Sequence, residues 1–283
     1  MTHSLQLALA DAVIDRALAE DLGGGDPTTE ATVPASARAT AHMIAKAPVV
    51  VCGLDIARRV FERVSDDVGF ERHVADGEAV ALGTKLSTVV GNARGLLAAE
   101  RTALNLVQRM TGTATMTRGF VDAAAGRCRI VDTRKTTPGL RALQRYAVRC
   151  GGGINHRDDL GGGVLIKENH IRAAGGVGAA VSAARDHAPH ALRVECEVTT
   201  LAELAEALDA GADIVMLDNM DDTTVRTAVT QVGGRAIVEV SGNITLPRVA
   251  TLAAAGVDVI SVGALTHSAP AGDISLLFEV PPT

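Results

Sequence analysis

The chain has 283 residues, enough for two domains or for one large barrel with an appendage. Hydrophobic residues make up 47% and charged residues 21%, so a large core can be buried and disorder is excluded. The formal net charge of −6 hides an imbalance, because ten Lys/Arg and four acids between Arg127 and Arg172 give +6 there and leave −12 elsewhere. Like charges repel unless something anionic comes between them, so this basic stretch calls for a counter-ion.

Composition removes several further classes. With no Trp, one Tyr and four Phe, the chain lacks aromatic platforms for stacking single-stranded nucleic acid. An acidic total disfavours tight duplex binding, which needs a wide basic surface. No apolar run approaches the roughly 20 residues that span a bilayer. Cys52, Cys128, Cys150 and Cys196 form no CxxC pair and have no zinc spacing. They read as buried free thiols of a reducing cytoplasm, where we expect the protein to reside.

In chain order, the segment up to Leu22 has no basic start, and Asp11, Asp15 and Glu20 interrupt its apolar residues. It reads as an amphipathic helix and not as a signal peptide. The turn-rich DLGGGDPTTEATVP follows. Short strand-like runs (ATAHMIAKA, APVVVCG, GFERHVAD, EAVALGT, KLSTVVG) then enclose a helical stretch, LDIARRVFERV. A long helical segment is expected from about Ala93 to Ala125, with a break near Gly112. From Arg129 the rhythm becomes strand, helix, strand. Six strand candidates follow: RIVDTRK, GVLIKEN, RVECEV, ADIVMLDN, AIVEVSGN and DVISVGAL. TTLAELAEALDAG opens on Thr and has Gly211 past its end, while TLPRVATLAAAG carries Pro247 in its first turn and closes at Gly256. These signals predict an α/β protein: a mixed α/β N-terminal domain over 1–112 and an incomplete, open-sided parallel α/β barrel over 113–269. Six strands are two short of a regular (β/α)8 barrel.

Chemistry in such barrels sits at the C-terminal strand ends. Here these present Asp132, Thr133, Arg134 and Lys135; Lys167 and Glu168; Glu197; Asp218 and Asn219; Ser241, Gly242 and Asn243; and Gly263 with Ala264. One polar strand end is ordinarily just solvated. Cations on two strands, acids on two successive strands and two glycine turns make a pattern. Arg134, Lys135 and Lys167 can bind carboxylate or phosphate oxygens. Glu197 and Asp218 can serve Mg²⁺, which takes one or two carboxylates plus ligand phosphates. The VSGN and SVGAL turns can meet a phosphate with backbone N–H groups. The CGGGINHR loop adds a cationic pair, His156 and Arg157. Together they suit a phosphorylated sugar with a metal-bound pyrophosphate beside an acidic small molecule.

The segments TRKTTPGLRALQRYAVRCGGGINHR, LIKENHI, VECEV, IVMLDNM, VSGNI and SVGALTHSAPAGDISL resemble the quinolinate phosphoribosyltransferases, as do EDLGGGDPTTEAT and ERTALNLVQRMTGTAT nearer the start. The resemblance spans essentially the whole chain. It implies transfer of phosphoribose from phosphoribosyl pyrophosphate to quinolinate, giving nicotinate mononucleotide, pyrophosphate and CO₂ with Mg²⁺. It also implies a homodimer in which Arg101 reaches the neighbouring subunit's site, and a C-terminal tail (270–283) that returns to the first domain. Arg134, Lys135, His156, Arg157 and Lys167, with Thr133 beside them, would bind the carboxylates and neighbouring phosphate. Glu197 and Asp218 would face the ribose and pyrophosphate, the metal being reached indirectly. Ser241, Gly242, Asn243, Gly263 and Ala264 would hold the 5′-phosphate. Lys135, Lys167, Glu197 and Asp218 are the catalytic candidates. One stretch departs from the family pattern NHR-x-GL-x-D-x-x-LIK: Asp159 stands where Gly is expected and Gly162 where Asp is expected. Alternative readings are a transferase that uses nicotinate without decarboxylation, a Schiff-base aldolase using Lys135 or Lys167, and a metabolite-binding regulator.

Overall fold

The computed structural model describes residues 7–279. Its first part comprises α1 (Leu7–Leu22), α2 (Pro27–Thr32), β1 (Arg38–Ala45), β2 (Val49–Val50), α3 (Leu54–Val64), β3 (Val68–Arg72), β4 (Ala79–Val80), β5 (Lys85–Asn92) and α4 (Ala93–Ala124). There follow β6 (Arg129–Val131), α5 (Arg141–Cys150), β7 (Val164–Ile166), α6 (Glu168–Ala174), α7 (Val177–His187), β8 (Val194–Val198) and α8 (Leu201–Asp209). The chain ends with β9 (Ile214–Asp218), α9 (Asp222–Val232), β10 (Ile237–Ser241), α10 (Leu246–Ala254), β11 (Val259–Ser261), α11 (Ala264–His267) and β12 (Ile274–Phe278). Of the N-terminal amphipathic segment, residues 1–6 lie outside the described residues, as do 280–283 of the tail.

Local signals explain many boundaries. Asp26 caps α2 by accepting from the Thr29 N–H at 3.0 Å, with Pro27 at the first turn. Thr200 and Glu203 form a reciprocal capping box on α8. Gly211 and Gly256 follow α8 and α10 with φ of 85° and 89°, where a side chain would be strained. The break expected near Gly112 does not occur, and α4 is continuous. Glycine serves packing there instead, because a Cβ at 112 would collide with the Pro270 carbonyl. Its helix-propensity cost of about 1 kcal/mol is absorbed inside a long, well-packed helix.

The chain forms two compact units that interleave in sequence. The first takes the described residues up to Arg118, Thr136–Gly152 and those from Leu265 on. Its antiparallel sheet has the order β12-β1-β5-β3, and β12 pairs with β1 from Ala41↔Phe278 to Ala45↔Ile274. Ile14, Met43, Leu54, Phe61, Leu86 and Leu96 are fully buried in its core. Each such side chain contributes about 1.5–3 kcal/mol on leaving water.

The second unit, Gly119–Lys135 with Gly153–Ala264, holds a six-stranded sheet of order β6-β11-β10-β9-β8-β7, every pair parallel. Its end strands β6 and β7 do not pair with each other among the described residues; only a bridge from Ile154 to Val131 extends the β6 edge. The sheet is therefore the incomplete, open-sided one that the strand count predicts. Its strands alternate more than the apolar runs suggest. Val194, Cys196, Val198, Val215, Leu217, Val238, Val240 and Ile260 are buried on one face. Period two puts Glu195, Glu197, Met216, Asp218, Glu239, Ser241 and Ser261 on the other.

Candidate active site

The polar face of the parallel sheet leads at its C-terminal edge into a cavity of about 270 Å³. Thr133, Arg134, Lys135, His156, Arg157, Lys167 and Ser241 line it, together with Leu165, Met216, Glu239 and Ser261. Three segments deliver the cations. Beyond β6, the fully buried Asp132 accepts from Asn155 Nδ2 at 2.6 Å and from the His156 N–H at 2.8 Å. It thereby fixes the start of the His156–Arg157 loop. The Lys135 N–H donates to Thr133 Oγ1 at 3.1 Å and shapes the turn that carries Arg134 and Lys135. Lys167 follows β7 directly, and its Nζ donates to Glu197 Oε2 at 3.0 Å.

His156 is held on both sides of its ring. Nδ1 accepts the Arg157 N–H at 2.7 Å, while Nε2 lies 3.3 Å from Glu195 Oε2 and 3.7 Å from Glu239 Oε1. Burial opposes a charge on this ring, but the two carboxylates and Asp132 outweigh it and raise the histidine pKa. Arg157 Nη1 donates to the Gly163 carbonyl at 2.9 Å, which ties the loop together. Burial and the neighbouring Arg134 both lower the Arg157 pKa. These two guanidiniums repel each other, and an anion between them relieves that repulsion.

A second group of candidates surrounds the ends of β9 and β10. Asp218 pairs in register with Ser241 and accepts from Asn219 Nδ2 at 2.8 Å. Asn243 Nδ2 donates to Asn219 Oδ1 at 3.0 Å, and both asparagines have positive φ (48° and 54°). Gly242, at φ 86°, sits where a Cβ would strike the Asn219 side chain, so only glycine lets the two turns meet. Gly263 and Ala264 lie just past β11, at the start of α11. Glu197 is not among the cavity-lining residues but reaches it through Lys167. Arg101 is exposed on α4, in the first unit.

Two acids near the cavity escaped the sequence reading: Glu195 and Glu239, 5% and 3% exposed. The signal was available, since parallel strands covered on both faces read as continuous apolar runs. The acids of VECEV and the acid of IVEVS break that rule. The departure at Asp159 also has a structural account. Its carboxylate turns into its own loop and accepts the Gly161 N–H at 2.8 Å.

An open parallel sheet whose strand ends gather four cations around a small cavity defines an incomplete α/β barrel with a basic pocket at its C-terminal edge. The family described as quinolinate phosphoribosyl transferase matches over residues 26–111 with its N-terminal domain and over 113–277 with its C-terminal domain. The chain belongs to this family. It is 45% identical to the nicotinate-nucleotide pyrophosphorylase [carboxylating] of Mycobacterium leprae, over 98% of this chain and 99% of that one. It is 43% identical to the chloroplastic nicotinate-nucleotide pyrophosphorylase [carboxylating] of Arabidopsis thaliana, over 95% of this chain and 82% of the relative. The solved structure of the nicotinate-nucleotide pyrophosphorylase from Francisella tularensis superposes with a TM-score of 0.93 at 40% identity, covering 98% of each chain.

Proposed function

We propose that the chain transfers the phosphoribosyl group of phosphoribosyl pyrophosphate to the ring nitrogen of quinolinate with decarboxylation. The products are nicotinate mononucleotide, pyrophosphate and CO₂, a step of NAD biosynthesis. In a chain of this family, the observation that carries the reading is the convergence of Arg134, Lys135, Arg157 and Lys167 on one cavity. A dicarboxylate makes better use of four cations than a monocarboxylate does, and each charge-assisted hydrogen bond contributes about 1.5–3 kcal/mol. That favours quinolinate over nicotinate. Lys167, held against Glu197, acts as an electrostatic partner and not as a Schiff-base nucleophile.

No protein nucleophile is needed. The ribose C1′ becomes oxocarbenium-like as pyrophosphate departs, and the pyridine nitrogen attacks it. Positioning and preorganised charge supply the catalysis. Arg134 and Arg157 orient the carboxylates, with Thr133 beside them, and His156, whose two ring nitrogens are engaged by the Arg157 N–H and by Glu195 and Glu239, holds Arg157 in place. Ser241, Gly242 and Asn243, with Gly263 and Ala264, bind the 5′-phosphate. Glu197 and Asp218 face the ribose. Their hard carboxylate oxygens suit Mg²⁺, reached through pyrophosphate or water, which when bound offsets the charge of the leaving group. After transfer the ring nitrogen is cationic and stabilises the carbanion left as CO₂ departs. Lys135 or a water then donates the proton. We further propose a homodimer in which Arg101 completes the site of the second copy, and a cytoplasmic location in keeping with four free cysteines.

Incubation with quinolinate, phosphoribosyl pyrophosphate and Mg²⁺ should release CO₂ and nicotinate mononucleotide in equal amounts. No product from that mixture, with nicotinate accepted instead, overturns the assignment. Arg101→Ala mixed with Lys167→Ala should recover activity that neither variant has alone. No recovery, with subunit exchange verified, removes the shared site.

A further inference from the structure

Glu195 and Glu239 project from β8 and β10 onto the polar face of the sheet, both more than nine-tenths buried. Bulky branched side chains ordinarily fill such interior positions of a barrel. A carboxylate there is costly unless it is paired or protonated. These two are not separated by a layer of apolar side chains. With His156 they form a cluster in which one ligand-type atom of each group lies within 4.8 Å of the others. The groups that face Glu239 are Glu195 from β8, His156 from the loop after Ile154, Lys167 at the end of β7 and the Ser261 hydroxyl of β11. Two carboxylates this close do not both ionise cheaply, so the pair favours binding a proton.

The His156 ring links the cluster to the substrate cation Arg157, and Lys167 faces Glu239 directly. His156 Nδ1 accepts the Arg157 N–H, which leaves its Nε2 proton directed at the two carboxylates. Glu195 and Glu239 therefore help to orient the imidazole and, through it, the Arg157 backbone, alongside Asp132. Glu239 also lines the cavity itself. An anion entering that cavity places negative charge beside it and raises its affinity for a proton.

We propose that Glu239 is a positioning residue that acts through His156 and takes up a proton when an anionic substrate fills the cavity, returning it when the anion leaves. The proton passes from solvent to a Glu239 oxygen, so no other group is oxidised, reduced or transferred. This inference rests on quinolinate being the anion. Burial first, and Glu195 second, push the Glu239 carboxyl up to about 7, a range in which a modest added field changes its occupancy at working pH.

The test is calorimetric titration with quinolinate in two buffers of different ionisation heat at about pH 7.5, where the buffer dependence counts the protons exchanged. The wild type should take up a fraction of a proton per site. Glu239→Gln should still bind quinolinate but take up essentially none. In the wild type the KM for quinolinate should rise about fivefold to tenfold from about pH 6 to about pH 8, and in Glu239→Gln it should stay flat. A merely structural residue would leave that profile in place. Unchanged uptake in Glu239→Gln, or none in the wild type with quinolinate bound, overturns the proposal. If quinolinate does not bind, sulfate serves as the dianion. Uptake with sulfate that is lost in Glu239→Gln upholds the cluster and removes only the substrate assignment; no uptake with sulfate overturns both. If the variant does not fold, infrared difference spectra of the wild type should show a protonated carboxyl band that disappears through neutrality. Absence of that band overturns the proposal.

Discussion

Asp76 in the first unit and Glu239 in the second are both carboxylates whose pKa burial raises, yet they stand in opposite company. Asp76 is surrounded by donors: the Gly53 N–H at 3.0 Å, the Leu54 N–H at 3.3 Å and the Tyr146 hydroxyl at 2.8 Å. It brackets the N-terminus of α3 against α5, where a negative charge is favourable. Glu239 faces a second carboxylate, a histidine and a lysine, and it lines a cavity. A raised pKa alone therefore does not mark a functional acid. Its neighbours do: donors that fully satisfy Asp76 make it structural, and a like charge beside Glu239 makes it responsive.

Paired variants separate the two roles most sharply. Lys167→Ala should lower kcat/KM by about a hundredfold or more, because a preorganised cation is lost from the cavity. It should cost only about 1 kcal/mol of stability, since the lysine side chain is nearly half exposed to water. Asp76→Ala should do the reverse. Three donors lose their acceptor, at roughly 2–4 kcal/mol in urea unfolding, while the folded fraction keeps near-normal kcat/KM. A large kcat loss in Asp76→Ala, measured where the protein is folded, would erase the distinction.

Stability against pH gives a smaller effect of predictable sign. Both carboxyls bind a proton more tightly in the fold than in the unfolded chain. The native state therefore carries more protons between the ordinary pKa and the raised one, and stability falls as pH rises through that window. For Glu239 the window runs from 4.5 to about 7. His156, whose pKa is also raised, adds stability that is present at low pH and lost as pH climbs through its folded value. The urea midpoint of the wild type should thus decline from about pH 5 to about pH 7.5, and Glu239→Gln should decline measurably less. Parallel curves would mean that Glu239 ionises as it does in the unfolded chain.

The same contrast explains what was legible in the sequence. Strand periodicity, caps and glycine stops placed the six parallel strands and the open sheet, because these are local preferences written over ten residues or fewer. The cations of the cavity were legible because Arg134, Lys135 and Lys167 fall just beyond strand ends. Glu195 and Glu239 left a local trace, acids inside apolar runs, but their role was not legible, because their meeting with His156 depends on which strands lie side by side. Gly112 was misread for a related reason. Propensity treats it as a helix breaker, whereas its partner Pro270 lies more than 150 residues away in sequence.

The smallest expected effect concerns the loop that carries Arg157. An acid at 159, beside an anion-binding loop, should repel a dianion if its charge faces the cavity. Its Oδ1 instead accepts the Gly161 N–H, and the residue is exposed, so water and salt screen its field. Its remaining influence on Arg157 is attractive and favours the charged guanidinium. Asp159→Ala should therefore lower the KM for quinolinate by no more than about threefold, with little change in kcat, because only a screened charge is removed. Loss of the turn hydrogen bond should cost at most about 1 kcal/mol. A tenfold fall in KM would show that the Asp159 carboxylate competes with substrate for Arg157. The cavity, like the Asp76 bracket, would then be holding an internal counter-ion.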